Sequence, residues 1–439
     1  MDLTYKILLA TPYLIQLLVL YILWPSSKNI IFFRLLPFYI VAYAGVTFFL
    51  TDDSIVKYSL NKDNIESLII IMIVGTICYV GSLIYNYKIY RKLERWLINK
   101  IDNINVKALN EFRVFIIIVL LALLAIIFYI YSYGKMGFIP LMADDWMMAK
   151  YLGGEYQETY RGVAHYYRGA LNLYAITAPF LIIYLFSRRS LLSKMFIAFL
   201  IILIMSLTLF TLRRGNLAEP IVLLFLLFAV YYQEGKYLIF VICCYFLIFA
   251  LGSSANVLIY YFQGLETTVD ISAILEGVPD INDLLWFWDR FLYDKYDFSY
   301  GKTIYGGLIP YHYDWNPSVL TKLVIGADKS VGSGGFRLPF QVEGYYTFGV
   351  VGTIIWSLYA GYVDALQLKL YRYAIINIKD SFYRFYLTIF FINITILVAR
   401  NLICMNIDSL LIIVVGLFII RNIFYKNRLV LNKLVRPLS

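Results

Sequence analysis

Apolar residues in this chain neither alternate with polar ones nor recur only on one helical stripe. They gather into runs near residues 5–24, 30–50, 68–87, 114–133, 171–187, 192–212, 221–232, 237–252, 345–366, 385–398 and 409–420. A helix needs roughly 20 apolar residues to cross the hydrocarbon core of a bilayer. The pattern therefore predicts an all-α, polytopic integral membrane protein with about eleven transmembrane helices. Composition removes the soluble alternative: 61% of the 439 residues are hydrophobic and 15% charged, against about 45–50% and 25% in ordinary globular chains. The first run lacks a basic n-region and a small-residue cleavage site, so it reads as a retained span.

Cationic residues collect on alternate connections, which assigns those connections to the cytoplasm. With the C-terminus inside, the inner segments carry about +17 and the outer ones about −6, with seven basic residues in 88–113 alone. Arg34 falls on the inner side in this partition, and Asp364 near the inner end of its helix. The overall +10 is thus a topology signal, and no nucleic-acid partner is implied. Two outer connections are long, and loops beyond roughly 15 residues are uncommon unless functional. The chain divides into N-terminal spans (1–133), a first long outer loop (134–169), central spans with an arginine turn (170–252), a large outer loop (253–344) and C-terminal spans with a basic tail (345–439). Within the large loop, 281–292 reads as an amphipathic piece whose Trp286, Trp288 and Phe291 dip into the interface. Cys78, Cys243 and Cys244 lie in apolar runs and only Cys404 near a surface, so neither a disulfide framework nor a CxxC zinc pair is present.

Three polar clusters stand out. The first, Thr211-Leu212-Arg213-Arg214-Gly215-Asn216-Leu217-Ala218-Glu219-Pro220, joins two spans through a short outer turn. Pro220 and an Asn216/Glu219 capping pair predict a helix beginning here. Its free N–H groups with Arg213 and Arg214 form an anion site suited to phosphate. The plainer account is arginines snorkelling to Glu219 or to lipid head groups. The second, Gly332-Ser333-Gly334-Gly335-Phe336-Arg337-Leu338-Pro339-Phe340-Gln341-Val342-Glu343, runs into a helix. Arg337 is an anion partner and Glu343 a general base, or else only a charged loop and a helix cap. The third comprises Asp52-Asp53, Asp144-Asp145 and the two histidines, His165 and His312. Neither acidic pair completes a metal ligand set, so solvated acids are the simpler reading, and each histidine is a base or phosphate partner by chemistry alone.

Further motifs complete the pattern: Gly137-Phe138-Ile139-Pro140-Leu141-Met142 after a span, Tyr300-Gly301-Lys302 followed by Gly307-Leu308-Ile309-Pro310, and Glu343-Gly344-Tyr345-Tyr346-Thr347-Phe348-Gly349-Val350-Val351-Gly352. In this order and on the outer side, they resemble bacterial O-antigen polymerases of the Wzy type, the oligosaccharide repeat-unit polymerases. The resemblance implies a GT-C-like glycosyltransferase of the inner membrane with its active site on the periplasmic face. Donor and acceptor would be undecaprenyl-diphosphate-linked oligosaccharides; membrane lipid, a chain-length regulator and a flippase of the same pathway would be partners. No metal or cofactor is expected, because two arginines can neutralise a diphosphate without a cation and neither acidic pair carries a complete ligand set. The resemblance places the family's arginine before glycine on Arg214, with Arg213 extra, and puts Glu343 where related ligases carry histidine. Glu343 and His312 are then the catalytic candidates, Arg213, Arg214 and Arg337 the diphosphate candidates, and His165, Tyr300, Lys302 and Tyr345 the substrate-loop candidates. Competing readings are a transferase using polyprenyl-phosphate sugars with Asp52-Asp53 as acid or metal ligand, an O-antigen ligase, and a transporter or flippase. The last predicts inverted repeats or mid-span charges, neither of which is evident in the sequence.

Overall fold

The computed structural model describes residues 3–49, 61–89, 92–102, 111–152, 154–187, 190–233, 236, 239–241, 243–244, 279–309, 313–326, 335 and 338–434. Among them the elements are helices, with one isolated bridge between Gly307 and Asn406 and no strand. The larger ones are α1 (Leu3–Leu23), α2 (Ile30–Phe48), α3 (Lys62–Lys88), α4 (Lys92–Asp102), α5 (Glu111–Met136), α6 (Ala164–Ser187), α7 (Leu191–Leu209), α8 (Arg214–Tyr232), α9 (Pro279–Tyr293), α10 (Pro317–Val324), α11 (Phe340–Asn377), α12 (Phe382–Arg400) and α13 (Ile407–Leu434). Eight helices among the described residues are long and apolar enough to cross a membrane: α1, α2, α3, α5, α6, α7, α11 and α12. The chain is a multi-pass, all-α membrane protein. The expected run at 221–232 lies in α8, whose apolar stretch Asn216–Tyr232 is shorter. The run at 409–420 lies in α13, and 237–252 falls largely outside the described residues.

Local sequence explains the corners. Buried Asn29 caps α2 by accepting from the Phe32 N–H, and its amide donates to the carbonyls of Leu20 and Trp24, which fixes the α1–α2 reversal. Amphipathic α4 buries Leu97 and Ile101 against the bundle and pairs its buried Glu94 with Lys369 at 3.0 Å. The helix expected within 281–292 is α9, but its interface placement is corrected: Trp288 and Phe291 are buried together with Ile281, Leu284, Leu285 and Phe287, and Trp286 is half-buried. The Trp288 indole donates to the Asn64 carbonyl at the start of α3. Packing this apolar stripe into the protein removes it from water.

α11 is not one rod. Phe348 (φ −143°, ψ 26°) and Gly349 (φ 63°, ψ −146°) break its helical geometry, and the chain doubles back there. The Thr353 hydroxyl donates to the Gln341 carbonyl at 2.9 Å, although twelve residues of continuous helix would separate them by about 18 Å. Gly344 and Gly352 face each other where the two arms cross, and a Cβ on either would run into the other's carbonyl oxygen. The outgoing arm then packs along α3, where Gly361 lies on the Tyr79 carbonyl. Gly344→Ala and Gly352→Ala are each expected to destabilise the protein by about 1–3 kcal/mol through overpacking, read as a lowered unfolding temperature in detergent. Gly349 occupies a backbone region that is essentially glycine-only, so Gly349→Ala should behave likewise. Unchanged melting of all three would contradict the hairpin.

Candidate active site

The doubled-back arm of α11 carries Glu343 in its first turn, behind Pro339, which provides no side-chain cap. Glu343 lines a cavity of about 340 Å³ together with Asn316, Ser318, Thr321, Cys404 and Asn406. Three segments build its walls. Asn316 caps α10 by accepting from the Ser318 N–H, and its amide donates to the Ile309 carbonyl. The link from α12 to α13 is stitched to the 299–309 segment, the Met405 N–H donating to the Ile304 carbonyl (2.7 Å) and the Ile407 N–H to the Gly307 carbonyl (3.2 Å). The 299–309 segment is in turn tied to α11 by the Ser299 and Tyr300 N–H groups, which donate to the carbonyls of Tyr346 and Thr347. These ties explain the glycines at 306 and 307, each pressed on backbone: Gly306 on Trp315 and Gly307 on Met405.

Among the described residues no hydrogen bond or ion pair engages the Glu343 carboxylate. A carboxylate left without a partner in a partly enclosed polar cavity is a group placed for chemistry. Burial pushes the neighbouring Cys404 thiol up to about 12, with Glu343 adding to the effect. The thiol therefore stays protonated and is not a nucleophile.

Two basic side chains lie near this cavity, one of them paired with a carboxylate. Lys322 on α10, 7% exposed, follows the cavity residue Thr321. Burial, reinforced by nearby Arg168, pushes its ammonium down to about 8. Arg168 on α6 reaches Asp408 at 3.5 Å and donates through Nε to the Tyr160 hydroxyl at 3.2 Å. The Tyr160 ring meets Tyr167 edge-on, and the Arg213 guanidinium lies 5.7 Å from the centre of the Tyr167 ring. Arg168, Tyr160 and Tyr167 thus connect the arginine turn to the Glu343 cavity. Anion binding that uses Lys322 requires its proton, so affinity for a diphosphate should fall as pH rises through about 8. Lys322→Arg should flatten that profile in titrations of the purified protein; a flat wild-type profile from pH 7 to 9 would count against Lys322.

The arginine turn itself is a four-residue link. Tyr133 holds it by donating to the Leu207 carbonyl, and the Leu141 N–H donates to the Phe210 carbonyl. Helix α8 begins at Arg214, with Arg213 at the cap position and no side chain capping the first N–H groups. The expected Asn216/Glu219 capping pair is corrected: Asn216 is two residues into the helix, and Glu219 pairs with Arg34 of α2. An arginine in a span needs a counter-ion more than an N-terminus needs a second cap. Pro220 stands in the second turn rather than the first. Nη2 of Arg213 is buried with no hydrogen-bond partner among the described residues. An uncapped helix start beside an unfilled guanidinium donor is suited to an anion.

The remaining candidates separate. Arg337 and His312 lie outside the described residues, as does the Arg214 side chain. His165 is exposed in the first turn of α6 and makes no side-chain hydrogen bond or ion pair among the described residues. Tyr300 is exposed, and the Lys302 ammonium sits 5.1 Å from the centre of the Trp315 ring. Tyr345 is a packing residue more than a loop contact: its ring lies against Trp288 (4.6 Å) and Phe298 (5.6 Å). Asp145 caps the helix Trp146–Tyr151 by accepting from the Met148 N–H, and Asp144 is exposed; Asp52-Asp53 lies outside the described residues. Sequence reasoning missed Arg168, Lys322, Asp408 and Asn406. Arg168 falls in the expected outer loop just before the 171–187 run, and the structure extends that helix back to Ala164, which places Arg168 inside it. No family model, curated protein or solved structure matches the chain.

Proposed function

We propose that the chain is a glycosyltransferase that polymerises lipid-linked oligosaccharide repeat units of O-antigen or a related surface polysaccharide. It works on the outer face of the bacterial inner membrane. The observation that carries this reading is the Glu343 carboxylate, unpartnered among the described residues and lining a polar cavity of about 340 Å³ near Lys322 and the Arg168–Asp408 pair. The ordered sequence motifs support it independently, since Glu343 to Gly352 form the hairpin that presents the carboxylate.

In this account a hydroxyl of the acceptor sugar attacks the donor's anomeric carbon. Glu343 takes the hydroxyl proton as the new glycosidic bond forms. The bond from the anomeric carbon to the lipid diphosphate breaks, and its electron pair leaves with the diphosphate. Charge developing on that leaving group is met by the uncapped N–H groups of α8, by Arg213 and Arg214, and by Arg168 with Lys322. Such preorganised donors contribute most where charge appears in the transition state. Attack opposite the leaving group inverts the anomeric centre. The exposed ring of Tyr300, on the 299–309 segment, offers a face for a sugar.

Removing the gene from its host tests the reading against a flippase. A polymerase mutant still displays single repeat units on the cell surface and lacks longer chains. Loss of every surface unit would identify an export function instead.

A further inference from the structure

Helix α4 lies in the connection 88–113, which the charge partition assigns to the cytoplasmic side, and it is held to the bundle by one face. Its buried Glu94 pairs with Lys369 of α11, whose ammonium also donates to the Ile89 carbonyl. At the far end of α4, Asp102 accepts from the Tyr373 hydroxyl at 2.6 Å. Lys369 and Tyr373 stand four apart on α11 and so share a face. Leu97 and Ile101 are buried along α4 between Glu94 and Asp102. An ion pair this enclosed is costly to break, so the rotation of α4 about its own axis is fixed.

That rotation turns a second set of side chains outward. Leu93 and Trp96 are 45% and 54% exposed, and the Lys100 ammonium lies 5.6 Å from the centre of the Trp96 ring. The three positions follow an i, i+3, i+7 spacing and form one stripe. Exposed Lys92, Arg95 and Asn99 form the stripe beside it. A face that mixes leucine, tryptophan and cations is costly in water, which the apolar groups avoid, and costly in hydrocarbon, which the cations avoid. The boundary between the two satisfies both.

The neighbouring helix ends put such a boundary beside α4. Helix α3 closes on Tyr85, Tyr87 and Lys88, the aromatic and basic residues that gather at a headgroup layer. Tyr85 is exposed, and the Tyr87 hydroxyl accepts from Arg372 of α11 at 2.7 Å. Helix α5 starts at Glu111, with an exposed Phe112 and Arg113 next. The outward face of α4 carries Lys92, Arg95 and Lys100 and no acid, since Glu94 is turned inward on Lys369 and Asp102 is taken up by Tyr373. Its charge therefore complements an anionic headgroup and not a neutral one.

We propose that the outward face of α4 docks on anionic phospholipid of the adjoining leaflet, with Leu93 and Trp96 set among the acyl chains and Lys92 and Lys100 on headgroup phosphates. Fluorescence of the full-length protein in lipid nanodiscs tests this. The chain has seven tryptophans, so the Trp96 signal is the difference between wild type and Trp96→Phe in matched discs. Chain-brominated lipid should quench that difference, and aqueous acrylamide should not. Adding phosphatidylglycerol to a phosphatidylcholine disc should deepen the bromine quenching. The Lys92→Gln/Lys100→Gln double variant should lose most of that gain, because each basic side chain near an anionic surface contributes roughly a fivefold preference. Both lysines are exposed, so melting of the variant should match wild type. Raising the salt on wild type should remove the same gain without any substitution. Quenching by acrylamide and not by bromine would put the face in water, and quenching by neither would put it under another part of the protein; either result overturns the proposal. So does bromine quenching that is equal with and without phosphatidylglycerol, or a phosphatidylglycerol-dependent gain that salt leaves unchanged.

Discussion

Glu343→Gln should slow polymerisation by about 10²–10⁴-fold, the range that a positioned proton acceptor contributes, while lipid-linked substrate still binds. Glutamine preserves the shape of the side chain and its place in the cavity wall, and it removes the ability to take a proton. Because no described residue pairs with the carboxylate, the substitution breaks no ion pair among them, and melting of the variant should match wild type. Loss of rate with a preserved fold and preserved binding is therefore the expected signature, read from initial rates of ladder formation. Normal rates from Glu343→Gln, together with loss in His312→Ala or His165→Ala, would move the base to a histidine.

The second large effect is expected at the arginine turn. Arg213→Ala and Arg214→Lys should each reduce turnover by roughly 10²–10³-fold, as does removal of a preorganised donor at a site of developing charge. Nη2 of Arg213 is buried without an acceptor among the described residues, a donor that a bound anion would satisfy. A lysine at 214 retains a charge and loses the planar fork. Wild-type ladders from either variant, measured at matched protein levels in the membrane, would remove the turn from the mechanism.

The two parts of the account were legible in the sequence to different degrees. Runs of apolar residues located the spanning helices because a bilayer demands length and hydrophobicity from one continuous segment, a purely local property. Glu343 and the arginine pair were visible for the same reason, as charges interrupting apolar sequence. The hairpin in α11 was hidden inside an apolar stretch. Its marks, Gly344, Gly349 and Gly352, read equally well as small residues in a helix, and only the contact between two arms distinguishes them. Arg168 and Asp408 are 240 residues apart, and Asp364 meets Arg400 across 36. Pairings of that range are decided by helix packing, which no local spacing encodes. The Asn216/Glu219 pair fits a local capping rule, and a long-range ion pair with Arg34 overrode it.

Polymerisation by the purified chain is the central claim, and reconstitution tests it most directly. Protein in liposomes, given only an undecaprenyl-diphosphate-linked repeat unit from its host and no nucleotide sugar, should produce a ladder of products differing by one repeat unit on a gel. Persistence of single units, with the protein folded and the substrate intact, would contradict the account.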